Sequence, residues 1–177
     1  MSGALAFFSP PSTIRVYSVP RIVRKVHGKD RAEVDPDVLL SLLTLELAGE
    51  ENIKVLIEAG VGDRRQSSSA AYNYGFTNGA VWMSIRSKLP RLAVDFVHPS
   101  VWKRHFNLIG KDKDASRRKA QHVFPGTRYF DKASDHNKAE AALIAKYAEE
   151  RPVFKPAAAA TAALKKKRAA SNLIVEP

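Results

Sequence analysis

Ile53 to Ile57 is a compact, largely β-branched run with Val55 and Leu56 inside it. A short apolar run of this kind, without alternation, is the pattern of a strand buried on both faces, and such strands belong to parallel or mixed sheets. This one segment requires helices above and below the sheet, so the rest of the chain has to supply them. Asp35-Pro36 places an N-cap before a proline at the first helical position, and Leu39, Leu40, Leu42, Leu43 and Leu47 carry that helix to Gly49. Ala70 to Lys88 reads as a second helix, with Gly75 and Gly79 four apart on a face that would allow close packing. Pro99 to Phe106, Lys113 to Phe124 and Asp135 to Glu149 read as three more.

Strands come before and between them. Gly3 to Phe8 is an apolar run ended by Ser9-Pro10-Pro11, and Thr13 to Val19 alternates, with Ile14 and Val16 on one face and Arg15 and Tyr17 on the other. Arg21 to Val26 reads as a third strand, His27-Gly28-Lys29-Asp30 as a loop, and Leu92 to Val97 as the strand after the second helix. A three-strand meander followed by βαβ crossovers predicts an α/β fold, with a mixed central sheet and helices on both faces. Residues 1–149 form one domain, and 150–177 a basic, Ala/Lys-rich, flexible tail.

The chain has 177 residues, 29 Lys+Arg against 18 Asp+Glu, a net charge of +11, and no Cys. The missing Cys excludes disulfides, thiolate metal sites and cysteine nucleophiles. No apolar run is long enough to span a membrane, and the opening residues lack the basic stretch of a secretory signal, so a cytoplasmic protein is expected. The positive excess suggests a polyanionic partner. Residues 151–177 hold six basic residues against Glu176 alone, a net +5, which is either a solvated tail or a phosphate-binding supplement. In the body the densest basic stretch is Trp102 to Lys119, with Lys103, Lys111, Lys113 and Arg117 as candidate phosphate contacts, or else a solvated face.

Three carboxylates stand out. Glu58 follows the buried run at its carboxyl end, where open α/β sheets place ligands; it is either a surface residue at a strand exit or a metal ligand. Asp135 is a natural N-cap for the last helix. Glu140, among Ala139, Ala141, Ala142, Leu143 and Ile144, has to point toward a partner or a cation. His136 shares a helix face with Glu140, and Asp135 can turn toward the same spot, a set that suits Mg²⁺ or Mn²⁺ over zinc. Tyr72 and Tyr74, at a serine-rich helix entry, are candidates to stack on a base or sugar.

These pieces, in this order, resemble the RuvC-type Holliday junction resolvases, and their phage and prophage branch in particular. The matching segments are Ser2-Gly3-Ala4-Leu5-Ala6, Val55-Leu56-Ile57-Glu58, Tyr72-Asn73-Tyr74-Gly75, Pro99-Ser100-Val101-Trp102-Lys103, Gly110-Lys111-Asp112-Lys113-Asp114-Ala115-Ser116 and Asp135 to Ala145. The resemblance spans about residues 2 to 148. It implies a ribonuclease-H-like fold and a homodimer that cuts four-way DNA junctions with two Mg²⁺ ions held by four acids. It further implies that Glu58 is the second acid, that Asp135 and Glu140 are the last pair, and that Lys103, Lys111 and Lys113 contact phosphate. One departure stands out. The family's first acid is an Asp in a Gly-hydrophobic-Asp-Pro-Gly segment that would precede Ser2, and Ser2 to Lys29 contains no carboxylate. Either the start is assigned too late or the chain is a degenerate nuclease that only binds. The family also often has an aromatic wedge shortly after the second acid, where this chain has Gly60-Val61-Gly62.

Overall fold

The computed structural model describes residues 3–60, 67–89, 94–112 and 114–151. Strands β1 (Ala4–Ser9) and β2 (Thr13–Ser18) form an antiparallel hairpin, with Leu5 opposite Tyr17 and Phe7 opposite Arg15. Strands β3 (Arg21–Val26) and β4 (Lys29–Val34) form a second hairpin. Helix α1 (Pro36–Glu46) follows, opened by Asp35, whose carboxylate accepts from the amides of Asp37 and Val38 at 3.1 Å. Strand β5 (Val55–Glu58) and β6 (Val94–Val97) pair in parallel on either side of the long helix α2 (Ser68–Lys88). Helices α3 (Pro99–His105), α4 (Ala115–Val123) and α5 (His136–Glu150) complete the described chain, with a 3₁₀ turn at Ala133–Asp135 leading into α5.

The expected layering is present, because alternate strand residues enter two separate cores. Ala6 and Phe8 of β1, Ile14 and Val16 of β2, Leu56 of β5 and Val97 of β6 pack with Trp102, Ala120, Phe130, Ala142 and Leu143. Leu5, Phe7, Val55, Ile57 and Val94 point the other way, onto Leu39, Leu43 and Ile85 of α1 and α2. The strands thus form a middle layer with α3–α5 on one face and α1–α2 on the other, as a run buried on both sides demands. Helix α5 lies across β1, β2 and β5, and its Ala139 and Ala142 are fully buried, so the backbone comes close to the sheet.

Three expectations are corrected. The stretch expected to be a loop at His27–Asp30 is a tight turn at His27 and Gly28, with φ of 49° and 75°, and Lys29 to Val34 forms a fourth strand. Positive φ at both central residues suits the twist of a two-residue hairpin. The strands do not form one continuous mixed sheet: among the described residues they make three two-stranded ladders, β1–β2, β3–β4 and β5–β6. Nor do Gly75 and Gly79 sit against a neighbour, since a Cβ at either would meet nothing within 4 Å.

The β1–β2 hairpin is tied to α1 by a polar contact. The side chain of Glu46 is buried, and it accepts from Arg15 Nε at 2.5 Å and Tyr17 Oη at 2.6 Å. These are the two residues that the alternation of β2 turns away from Ile14 and Val16. Removing the acceptor leaves a guanidinium and a phenol without it, so Glu46→Ala is expected to lose about 1.5–3 kcal/mol. The change would be read as a lower urea midpoint at unchanged m-value.

Candidate active site

The parallel ladder directs β5 so that Glu58, its last residue, emerges at the carboxyl edge of the layer. Its carboxylate does not reach straight into water. Trp102 Nε1 of α3 donates to Glu58 Oε1 at 2.9 Å, and the Trp102 side chain is fully buried. Trp102 therefore has two functions: its ring is part of the core, and its single polar atom holds the acid in place. Glu140, on α5, lies near enough for its charge to act on Glu58. Burial first, and then the charge of Glu140, raise the Glu58 pKa above its ordinary value, against the lowering effects of the Trp102 hydrogen bond and the Lys103 charge.

Glu140 is itself partnered. Lys103 Nζ is 3.1 Å from Glu140 Oε1, and Ser116 Oγ of α4 lies 3.4 Å from the same atom. Lys103 also sits 5.1 Å from the centre of the Trp102 ring. Glu58 and Glu140 line one cavity of about 210 Å³, together with Asn137, Tyr74 and Asn78, and with Ala4 and Leu5 of β1 as apolar wall. Gly60 lies against the Tyr74 ring with no room for a Cβ, so a larger residue there would displace the ring.

Asp135 is placed elsewhere. It is 7 % exposed, and its carboxylate accepts from the Lys132 amide at 3.0 Å and pairs with Lys138 Nζ at 3.1 Å, closing the turn before α5. Burial opposes its ionisation, but the Lys132 amide and the Lys138 charge prevail and hold its pKa below the ordinary carboxylate value. His136 opens α5 and does not line the cavity. Asn137, which the sequence reading missed, does line it. The helical period gives no signal for it, because His136, four residues before Glu140, is about 40° round the helix and Asn137, three before, about 60°. Among the described residues no three His, Asp or Glu side chains converge so as to hold a metal ion. What does converge is two carboxylates and one amide.

The basic arm is divided. Lys103 faces the acids, and Lys111 is exposed. Arg117 is committed to structure: Nε and Nη2 grip the two Asp114 oxygens at 2.7 Å each, and Nη1 donates to the Phe130 carbonyl at 3.1 Å. Lys113 lies outside the described residues, as does the tail from residue 152. Tyr72 is exposed, stacked on Phe76 and capped by Arg31 at 5.1 Å from its ring centre, on the side of α2 away from the cavity.

The state of Glu58 has a pH signature. A carboxylate whose pKa is higher in the folded than in the unfolded chain binds more protons when folded, so stability falls as pH rises through the interval between the two values. Glu58→Gln keeps an oxygen for Trp102 and removes the charge. Its melting temperature is expected to match the parent below the ordinary carboxylate pKa of 4.5 and to exceed it above the raised value. Each kcal/mol regained amounts to about 2–4 °C in a chain of this size. Thermal unfolding of both proteins from pH 4 to pH 8 reads the difference; a gap that does not grow with pH would overturn the assignment.

No family model matches the chain, and neither does any curated protein. Two solved structures of RuvC do match in shape. T. thermophilus RuvC in complex with Holliday junction substrate gives a TM-score of 0.50 at 14 % identity, over 87 % of this chain and 99 % of that one. A Thermus thermophilus RuvC structure gives 0.46 at 16 % identity, over 80 % and 90 %. At such identity the likeness concerns the path of the backbone: the chain has a RuvC-like α/β fold.

Proposed function

We propose that this chain is a metal-dependent endonuclease acting on four-way DNA junctions. The observation that carries the reading is the meeting of Glu58 and Glu140, from β5 and α5, in one cavity beside Lys103. The matched neighbour's complex with a Holliday junction substrate points to the same substrate class. Two carboxylates with the Asn137 amide suit one Mg²⁺ or Mn²⁺, which accepts one or two protein carboxylates and takes its other oxygens from water and phosphate. They fall short of the four-acid set for two ions, and Asp135 would have to leave its own turn to join them. A bound ion would polarise the scissile phosphate and lower the pKa of its water.

The protein groups have separate tasks in this reading. Trp102 fixes the Glu58 rotamer, so the acid is preorganised. Glu58, held by Trp102, would present its other oxygen to the ion. Lys103 is the cation nearest the acids and would meet the phosphate. Lys111 and Lys113 would extend the phosphate track, and Tyr74, in the cavity wall, would stack on a nucleotide. Tyr72 is a candidate for a more distant base, and His136 for an outer position near Glu140.

The test is a labelled four-way junction incubated with Mg²⁺ or Mn²⁺. Nicking is expected, reduced about a hundredfold or more by Glu140→Gln. Intact DNA beside an active control resolvase would refute catalysis by this chain. A second reading, binding without cleavage, is favoured by one observation: Lys103 already neutralises Glu140, while Asp135 serves its own turn. A gel shift with salt titration separates the two. Under the nuclease reading Lys103→Ala is expected to flatten the log–log salt dependence of binding by about one unit.

A homodimer is part of the proposal. Gly75, Phe76, Gly79, Trp82 and Met83 are exposed along one stripe of α2 at helical spacing, with open space over both glycines. Such a stripe suits an α2–α2 contact between two copies. Gly79→Arg is expected to turn a sedimenting dimer into a monomer; an unchanged sedimentation coefficient would remove α2 as the contact.

A further inference from the structure

We propose that the β3–β4 hairpin is a DNA-contacting ribbon, which enters the major groove of a duplex on the side of α2 away from the Glu58–Glu140 cavity. Among the described residues its strands are hydrogen-bonded only to each other, and its main contact with the body is between β4 and α2. Arg21 to Lys25 and His27 to Asp30 are exposed. Six residues in each strand make the ribbon about 20 Å long, at about 3.4 Å per residue. Its base is fixed. The Asp35 amide donates to the Pro20 carbonyl at 3.0 Å, Val34 is buried, and Arg31 donates to Asn73 Oδ1 at 3.1 Å while lying over the Tyr72 ring. The hairpin is thus anchored where it leaves the body and uncovered toward its tip.

Its charge has no use inside the fold. Arg21, Arg24, Lys25, Lys29 and Arg31 stand against Asp30 and Glu33 alone. The register divides them between both faces: Arg21 and Lys25 share one with Asp30, while Arg24, Lys29 and Arg31 share the other with Glu33. Arg24 is directly opposite Arg31, and like charges in that position destabilise a hairpin. Glu33, at 3.9 Å from one and 3.6 Å from the other, is the acid they share. Among the described residues Arg21, Lys25 and Lys29 have no ion-pair partner. Val23, between Arg21 and Lys25 on their face, is 63 % exposed, so an apolar side chain also lacks cover.

Positive charge on both faces identifies the partner. A surface laid on the outside of a duplex meets phosphate on one side and needs cations on one face. A ribbon inside a groove has a wall of phosphates on either side, so both faces need them. The major groove of B-form DNA, about 12 Å wide, admits a two-stranded ribbon, whereas that of duplex RNA is deep and narrow. In that position the basic side chains would reach phosphate, and Val23 would be covered by the groove floor with its thymine methyl groups. The proposal rests on the nuclease reading for the kind of polyanion. It adds a second hold on the substrate, because Tyr72, beside the ribbon, is turned away from the cavity that Tyr74 lines.

The experiment is a salt titration of binding to a labelled DNA duplex two helical turns long, without divalent metal so that no cutting intervenes. One full-length variant neutralises the first face, Arg21→Gln with Lys25→Gln, and another the second, Arg24→Gln with Lys29→Gln. Each is expected to melt close to the parent and to flatten the log–log salt slope by about 1–2 units. A loss on one face only overturns insertion in a groove. A loss on neither overturns the ribbon as a DNA contact and leaves an acidic protein as its partner. Equal losses with duplex RNA also overturn the groove. Cutting of a four-way junction is measured separately: flattened slopes in a chain that never cuts uphold the ribbon and refute the nuclease, and unchanged slopes in a chain that cuts do the reverse.

Discussion

The packing of α5 against two separate ladders is the constraint on which the other features rest. Among the described residues the β1–β2 hairpin and the β5–β6 pair share no ladder, so their relative position rests on helix packing, with α5 lying across both on one face. That role explains the composition of α5. Ala139 and Ala142 let its backbone approach, Leu143, Ile144 and Tyr147 fill the space between it and the strands, and Glu140 is the one acid carried toward the carboxyl end of β5. Close packing transmits displacement. A shift of α5 along its axis would separate Glu140 from Glu58 before it exposed any large part of the core.

Several elements were legible because their signals are local. Asp35-Pro36 specifies a helix start whatever surrounds it, and the alternation of β2 correctly divides Ile14 and Val16 from Arg15 and Tyr17. The apolar run ending at Glu58 identified both a strand with two covered faces and the acid at its exit. Strand β4 escaped because Lys29 to Val34 has charged residues where a half-buried strand would alternate; what reveals it is the His27–Gly28 turn, whose backbone angles a sequence does not display. The division into separate ladders is non-local altogether, since no property of β1 alone reports which edge stays unpaired.

Within the site the limits are similar. Trp102 reads as core and is core, yet nothing in its spacing from Phe106 indicates that its indole N–H meets a carboxylate 44 positions away. Asp135 was plausible as both cap and ligand, and the structure has it closing the turn before α5. Arg117 shows why a count of basic residues overstates a polyanion-binding surface. Two of its donors fit the planar Asp114 carboxylate and a third meets the Phe130 carbonyl, so a guanidinium held in that way has little left for phosphate.

In the proposed reading, the contact between Lys103 and Glu140 would make the site an exchanger. With its ammonium in place the carboxylate is already neutralised, so an arriving cation replaces a charge and adds none. The displaced lysine swings out on a flexible four-carbon stem, free for an anion at the moment the acid is taken by something else. Occupancy of the pocket by a cation and readiness of the neighbouring surface for a polyanion would then be coupled through one side chain.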